Sequence, residues 1–122
     1  MLKRPPEYVR DDERGRLTQV ATFTNQLNIL EINEGRNMGG HFHKETTEAF
    51  FILDGHISLW SYKRGDKEAI ENEFFKNDIF FIEPWEWHAI EALSNSRLAV
   101  LLSKPYNPDK PDIHDGGLDG TS

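Results

Sequence analysis

The sequence predicts a single-domain, all-β fold, a double-sheet jelly roll, on three observations. No segment carries an apolar period of 3.6 residues long enough to make a helix. Short runs rich in branched and aromatic residues are instead broken by turn chemistry roughly every 8–12 residues, the rhythm of a sandwich or barrel. Asp54-Gly55 also joins two such runs directly, and Asp-Gly between β-rich segments is the strongest short hairpin signal a sequence offers.

The elements follow in order. Residues 1–15 are polar and contain Pro5 and Pro6, so they read as an N-terminal arm that lies along the barrel or reaches a partner subunit. Segments 17–23 and 26–32 alternate loosely and end at the Asn33-Glu34-Gly35 turn. A strand around His41 and His43 comes next, then 48–53, the Asp54-Gly55 turn and 56–62. Turns at Arg64-Gly65-Asp66, Lys76-Asn77-Asp78, Pro84 and Ser94-Asn95-Ser96 separate runs at 69–75, 78–82, 88–93 and 98–103. About nine strands result, in a barrel spanning residues 16–112. From Ile113 onward the chain is Asp- and Gly-rich, with Gly116, Gly117 and Gly120, and residues 113–122 are expected to form a flexible polar tail that frays.

With 122 residues, 37% apolar and 29% charged, the chain suits one core in which most of eight Phe and three Trp are buried together. A formal charge of -7 argues against nucleic acid and anionic membranes, because Lys3-Arg4 and Lys63-Arg64 are too short to make a basic patch. No cysteine is present, which excludes disulfides, thiolate metal sites and Cys nucleophiles. The first residues resemble no secretory signal and no apolar run approaches the roughly 20 residues of a spanning helix, so a cytoplasmic location is expected.

The chemistry concentrates between Gly35 and Gly55. On a strand, residues i and i+2 share a face, so His41 and His43 point the same way, and a short turn brings Glu48 in on the next strand. His88, which follows Pro84-Trp85-Glu86-Trp87, returns towards the same cavity as a fourth ligand. Imidazoles with a carboxylate bind a divalent first-row metal and leave positions open, whether iron, manganese, zinc, nickel or cobalt. Unmetallated, the same cluster would be a hydrogen-bonded polar core. Phe50 and Ile52 share the parity of Glu48 and should line the cavity, while Phe42 should face away. Gly39-Gly40 reads as a strand bend or bulge. His56 is expected at the surface, and His114 in the tail is assigned no role.

The spacing G-x5-H-x-H-x4-E-x6-G, met by Gly35, His41, His43, Glu48 and Gly55, resembles the first motif of the cupins. Their second motif, G-x5-P-x-G-x2-H-x3-N, is met at His88, whereas Asn77, Glu83, Trp85 and Ala92 stand where Gly, Pro, Gly and Asn are expected. The resemblance spans roughly residues 16–103 and implies one metal held by His41, His43, Glu48 and His88 inside a small β-barrel. Asp12-Glu13-Arg14-Gly15 is similar to the opening of cupins that act on nucleotide sugars. The run from Tyr106 through Pro108 and Pro111 to Asp112 resembles the close of the cupin domain in capsular-polysaccharide epimerase/reductases. His41-Phe42-His43-Lys44 resembles the H-x-H-K of sugar-nucleotide ketoisomerases, which work metal-free and typically lack the glutamate that this chain has at Glu48.

Three function classes fit. In the first, the protein is an isomerase or epimerase of a 4-keto nucleotide sugar in surface-polysaccharide synthesis, with His43 or His88 as base where it is not fully committed to the metal, and with the tyrosine acid that the resemblance implies placed at Tyr62. Lys44 would attract the anionic substrate and Phe50 would line its site. Trp85 and Trp87 either stack a sugar or nucleobase or cap the core. The second is a non-haem iron dioxygenase on a small organic substrate, and the third a non-catalytic small-molecule-binding barrel. A homodimer is expected, because edge strands and surplus aromatics such as Phe75 and Phe81 need covering.

Overall fold

Period-two alternation becomes burial strand by strand. Within 26–32 every second residue (Gln26, Asn28, Leu30, Ile32) is buried, and within 48–54 the buried set is Glu48, Phe50 and Ile52. Sheets that put one face on a core require this pattern. The computed structural model describes residues 5–22 and 25–115. Among them lie β1 (Tyr8–Asp12), β2 (Gly15–Thr22), β3 (Gln26–Ile32), β4 (Asn37–His41), β5 (Glu48–Asp54), β6 (His56–Lys63), β7 (Ile70–Phe75), β8 (Ile79–Ile82), β9 (Glu86–Ala92) and β10 (Ser96–Leu102).

The strands form two antiparallel sheets, one of six strands in the order β1-β2-β3-β10-β5-β8 and one of four in the order β4-β9-β6-β7. Between them Ile32, Ile52, Ile57, Ile82 and Leu98 are at most 1% exposed. Each such side chain contributes about 1.5–3 kcal/mol of transfer free energy when buried. Phe50 stacks on Phe80 at 4.7 Å, and Phe74 packs beside them, 4.5 Å from Phe80. Their neighbours Phe75 and Phe81 are exposed on the opposite faces. No helix among the described residues is long and apolar enough to cross a membrane.

The ends of the chain differ from expectation. Residues 8–12, read as part of an arm, form β1 and pair with β2 from Tyr8↔Gln19 to Asp12↔Gly15, which makes one strand more than nine. The Asp12-Glu13-Arg14-Gly15 segment is the turn of this hairpin. Asp12 Oδ1 accepts the Arg14 backbone N–H at 3.0 Å and Oδ2 accepts its guanidinium at 2.7 Å. Gly15, at φ +139°, passes so close to β3 that a Cβ would lie 1.9 Å from the Glu31 carbonyl oxygen. That turn therefore explains its residues without a ligand.

At the other end, the segment read as a tail begins with one paired residue, His114. His114 and Phe42 exchange two backbone hydrogen bonds, at 3.0 and 2.9 Å, which extend the four-stranded sheet beyond β4. The chain holds there because backbone pairing does not depend on apolar side chains. The remainder of the expected tail, residues 116–122, lies outside the described residues, as do residues 1–4 and 23–24.

Candidate metal centre

The centre begins with an irregularity in β4. Met38 pairs with Ile90 and Gly39 with Ala89, but His41 pairs with His88, so Gly40 is one residue more than β9 matches. Met38 packs on the core. Strict alternation from Met38 would turn His41 outward, and the extra residue reverses the phase and aims it inward. Both glycines are left-handed, at φ +96° and +80°, and a Cβ on Gly39 would lie 2.9 Å from the His88 carbonyl oxygen. The expected bulge is thus what brings His41 into the barrel.

His43 lies two residues further on the same face, with its ring 5.0 Å from that of His41. Phe42 faces away, as parity predicts, and is stacked 5.3 Å from Trp85. His88 enters from β9, 2% exposed, and Glu48 from the first position of β5, 8% exposed. The ligand nitrogens of His41, His43 and His88 all lie within 4.8 Å of one another. Glu48 Oε1 is 2.7 Å from His43 Nε2 and 3.4 Å from His88 Nε2. Ligand atoms about 2.1 Å from a common ion stand roughly 3.0–3.4 Å apart in octahedral or tetrahedral sites. The donor set is of the kind that could hold a divalent cation, with the nitrogens up to 4.8 Å apart needing to draw in around it.

Electrostatics separates the three imidazoles. Burial, with the charges of His88 and His43, pushes His41 down to about 4. His88 is also lowered, by burial first. Both are therefore neutral donors near pH 7. Burial pulls His43 down too, but its bond to Glu48 and the Asp112 carbonyl outweigh this and hold it above its ordinary value. Burial pushes the Glu48 carboxyl up, yet the His43 bond and the three imidazoles outweigh it and hold the group below the usual carboxylate range. A buried carboxylate facing three imidazoles is an expensive arrangement in apolar surroundings unless charge compensates charge.

The other expected site residues divide. Phe50, on the Glu48 face of β5, is buried with its ring 6.5 Å from His88 and forms part of the floor. Lys44 and Trp85 stay near the centre: Lys44 Nζ lies 5.3 Å from the Trp85 ring, and Trp85 N–H donates to the His43 carbonyl at 2.6 Å. Trp85 nevertheless stacks on the outward-facing Phe42, so its ring covers that residue.

Tyr62 and Trp87 require correction. Ser61 pairs with His88 and Tyr62 with Trp87, so alternation puts Tyr62 and Trp87 on the face opposite His88. There their rings stack at 5.3 Å, and neither the expected acid nor one expected stacking platform reaches the imidazoles. His56 is half-buried against Phe75 at 4.2 Å and takes no part in the centre.

Two features escaped the sequence reading. Gln26 and Asn28 are buried at the same end of the barrel and bonded to each other at 3.0 Å, a polar pair at i and i+2 on a strand face that is otherwise apolar. Asp112 is the second. Its carboxylate gathers several N–H groups around the turn after His43, a role that an acidic residue near a polar tail does not announce.

Residues 10–114 match the polysaccharide biosynthesis C-terminal domain family. Among solved structures, the chain is similar to CapF, the capsular polysaccharide assembling protein of Staphylococcus aureus, at 22% identity and TM-score 0.83, over 93% of this chain and 34% of that one. It therefore spans about a third of that relative's length. A single-substitution variant of Bacillus subtilis oxalate decarboxylase gives TM-score 0.78 at 11% identity, over 89% of this chain and 30% of that one. A Bacillus halodurans protein gives TM-score 0.63 at 18% identity, over 75% and 70%. No curated protein matches the sequence. The fold is the all-β jelly roll of the cupins.

Proposed function

Because the chain belongs to the polysaccharide biosynthesis C-terminal domain family, we propose that it is a metal-binding cupin that isomerises or epimerises a 4-keto nucleotide sugar in surface-polysaccharide synthesis. The observation that carries this reading is the convergence of His41, His43 and His88 on Glu48 at one end of the barrel. Similarity to a capsular polysaccharide assembling protein supports the substrate class.

Such a reaction removes a proton beside a ketone and returns it to a different face or carbon. It needs a base poised near neutral pH and an electrophile for the enolate. His41, His43, Glu48 and His88 would hold the ion, which when bound would supply a Lewis acid for the carbonyl oxygen. His43 is tied at both ring nitrogens, to Glu48 at 2.7 Å and to the Asp112 carbonyl at 2.6 Å. His88 Nδ1 makes only a 3.4 Å contact with the Glu86 carbonyl, so of the two candidate bases His88 is the less constrained, and it would take the proton only while its ring is not bound to the ion. Buried Phe50 and Phe80 keep water from the floor of the site. With Tyr62 on the opposite face, the acid role passes to water or to the substrate's own hydroxyl.

Incubating the metal-loaded protein with a 4-keto nucleotide sugar in D2O tests this. The expected result is deuterium at the carbon next to the ketone, lost in Glu48→Gln and His88→Ala. No exchange with iron, manganese, zinc, nickel or cobalt would overturn it. The donor set itself favours one alternative, a metal-dependent oxygenase, since three imidazoles and a carboxylate suit iron or manganese. Mn(II) centres are named for Bacillus subtilis oxalate decarboxylase, of which this chain covers 29% at TM-score 0.73 and 11% identity. Substrate-dependent oxygen uptake would select that reading, and ligand binding without turnover would select a non-catalytic barrel.

The proposal includes a cytoplasmic homodimer. Phe81, Ala49 and Leu101 form a row on the outer face of the larger sheet, and Phe81 and Leu101 are exposed. A Phe81→Glu variant that sediments as a monomer beside a dimeric parent would support it, and a monomeric parent would refute it.

A further inference from the structure

The run from Tyr106 to Asp112 remains unexplained by the metal ligands. It leaves β10 with Tyr106 N–H donating to Gln26 Oε1 at 2.9 Å, turns at Asn107, and ends at the outer edge of β4. Pro108 and Pro111 restrict it on the way. There Asp112 meets the chain between His43 and Glu48. Its Oδ1 accepts the Lys44 N–H at 2.8 Å, and its Oδ2 accepts the N–H groups of Glu45 and Thr46 at 2.8 and 2.9 Å. The Thr46 hydroxyl donates to the same Oδ2 at 2.9 Å, and His114 Nε2 lies 2.9 Å from Oδ1. The Asp112 backbone carbonyl accepts from His43 Nδ1 at 2.6 Å.

We propose that Asp112 is a positioning residue of the metal centre: its carboxylate folds the turn after His43, and its carbonyl fixes which nitrogen of His43 faces Glu48. The two functions sit on one residue, so the carboxylate's anchorage sets the position of the carbonyl. With Nδ1–H committed outward, Nε2 is the only nitrogen that can be offered to a cation, and the ring cannot flip without breaking the bond. Outer-sphere acceptors of this kind typically change metal affinity 10–100-fold when removed. The same carboxylate places Thr46, two residues before Glu48, so it acts on two of the four proposed ligands. This inference rests on the metal reading for its affinity arm only.

The test uses the full chain with Asp112→Ala and Asp112→Asn. Cobalt or zinc affinity is read by competition with a chromophoric chelator, and metal-free unfolding is followed separately by circular dichroism. In the metal-free protein the His43 side-chain 15N signals report whether Nδ1 carries a protected proton. The expected result is a 10–100-fold loss of affinity in Asp112→Ala, a smaller loss in Asp112→Asn, and loss of the protected Nδ1–H in Asp112→Ala. Wild-type affinity, or an unchanged His43 signal, in a folded variant would overturn the proposal and leave Asp112 as a loop anchor alone. If the parent binds no metal, the proposed function fails, while the nitrogen signals still decide for or against this role. Should Asp112→Ala not fold, Asp112→Asn carries the same two readouts, because one amide oxygen cannot replace two carboxylate oxygens among five donors.

Discussion

Along β5 the inward residues run from Glu48 through Phe50 to Ile52, and along β9 from His88 through Ile90 to Ala92. β3 repeats the gradient, from Gln26 and Asn28 to Leu30 and Ile32. One end of the barrel is thus a polar centre and the other an apolar plug, built on the same strands at the same register. Stability and chemistry are therefore divided along the strand axis. The plug contributes transfer free energy at every position, whereas the centre buries charge that must be compensated to be tolerated. At the polar end, three irregular features serve the centre: the Gly39-Gly40 bulge, the left-handed Trp85 and the Asp112 anchor.

The contrast is most severely tested at the plug. Ile52→Ala, at a fully buried site, is expected to lose about 2–5 kcal/mol of unfolding free energy. Urea denaturation would show this, and metal affinity measured well below the transition should stay near that of the parent. The reciprocal change at the centre is Glu48→Gln. It is expected to weaken metal binding by more than about 100-fold, beyond the usual outer-sphere range, with the jelly roll intact by far-ultraviolet circular dichroism. If Ile52→Ala abolished metal binding in the folded state, the two ends would not be separable.

Gly39→Ala tests the bulge that links them. The left-handed backbone and the close His88 carbonyl predict a loss of about 1–3 kcal/mol in stability. Because His41 would lose its aim, metal affinity should fall as well, which calorimetric titration would measure. Stability lost with affinity kept would mean that His41 is not a ligand.

The weakest response belongs to the β1–β2 turn, outside both ends. Hydrogen bonds from Arg14 lower Asp12 to about 2 from an ordinary value of 3.8. The unfolded chain therefore binds this proton more readily, so the contribution of Asp12 is present above pH 3.8 and is lost as pH falls through about 2. Asp12 lies at the surface, where such pairs contribute little. Asp12→Asn should flatten the acid limb of thermal stability slightly between these values and leave the midpoint at pH 7 almost unchanged.

Much of this architecture was readable beforehand. Alternation in 26–32 and 48–53, and the Asp54-Gly55 hairpin, correspond to β3, β5 and the β5–β6 turn because period-two burial and turn preference are local properties. The i, i+2 spacing of His41 and His43 placed two imidazoles on one face, and Phe42 on the other, for the same reason. Trp87 failed because closeness to His88 in sequence is no guide to its face, since immediate neighbours on a strand point apart, and Tyr62 failed because its cross-strand partner is Trp87 and not His88. Strand β1 was missed because Tyr8–Asp12 is a polar edge strand held by its backbone ladder, with no apolar face to advertise it.

The motif positions show a finer division. Asn77 and Trp85 stand where the cupin pattern has glycine, and they are the two non-glycine residues with positive φ among those described, at 76° and 62°. Strand periodicity, turn positions, the absence of thiol chemistry and the ligand types are already present in the unfolded chain, since each depends on residue identity over a few positions. The phase of β4 at Gly40, the face of Tyr62, the left-handed backbone at Trp85 and the reach of Asp112 across to residues 43–46 came only with folding. Those are relations between segments tens of residues apart, and pairing register and backbone hydrogen bonds fix them only once the sheets have formed.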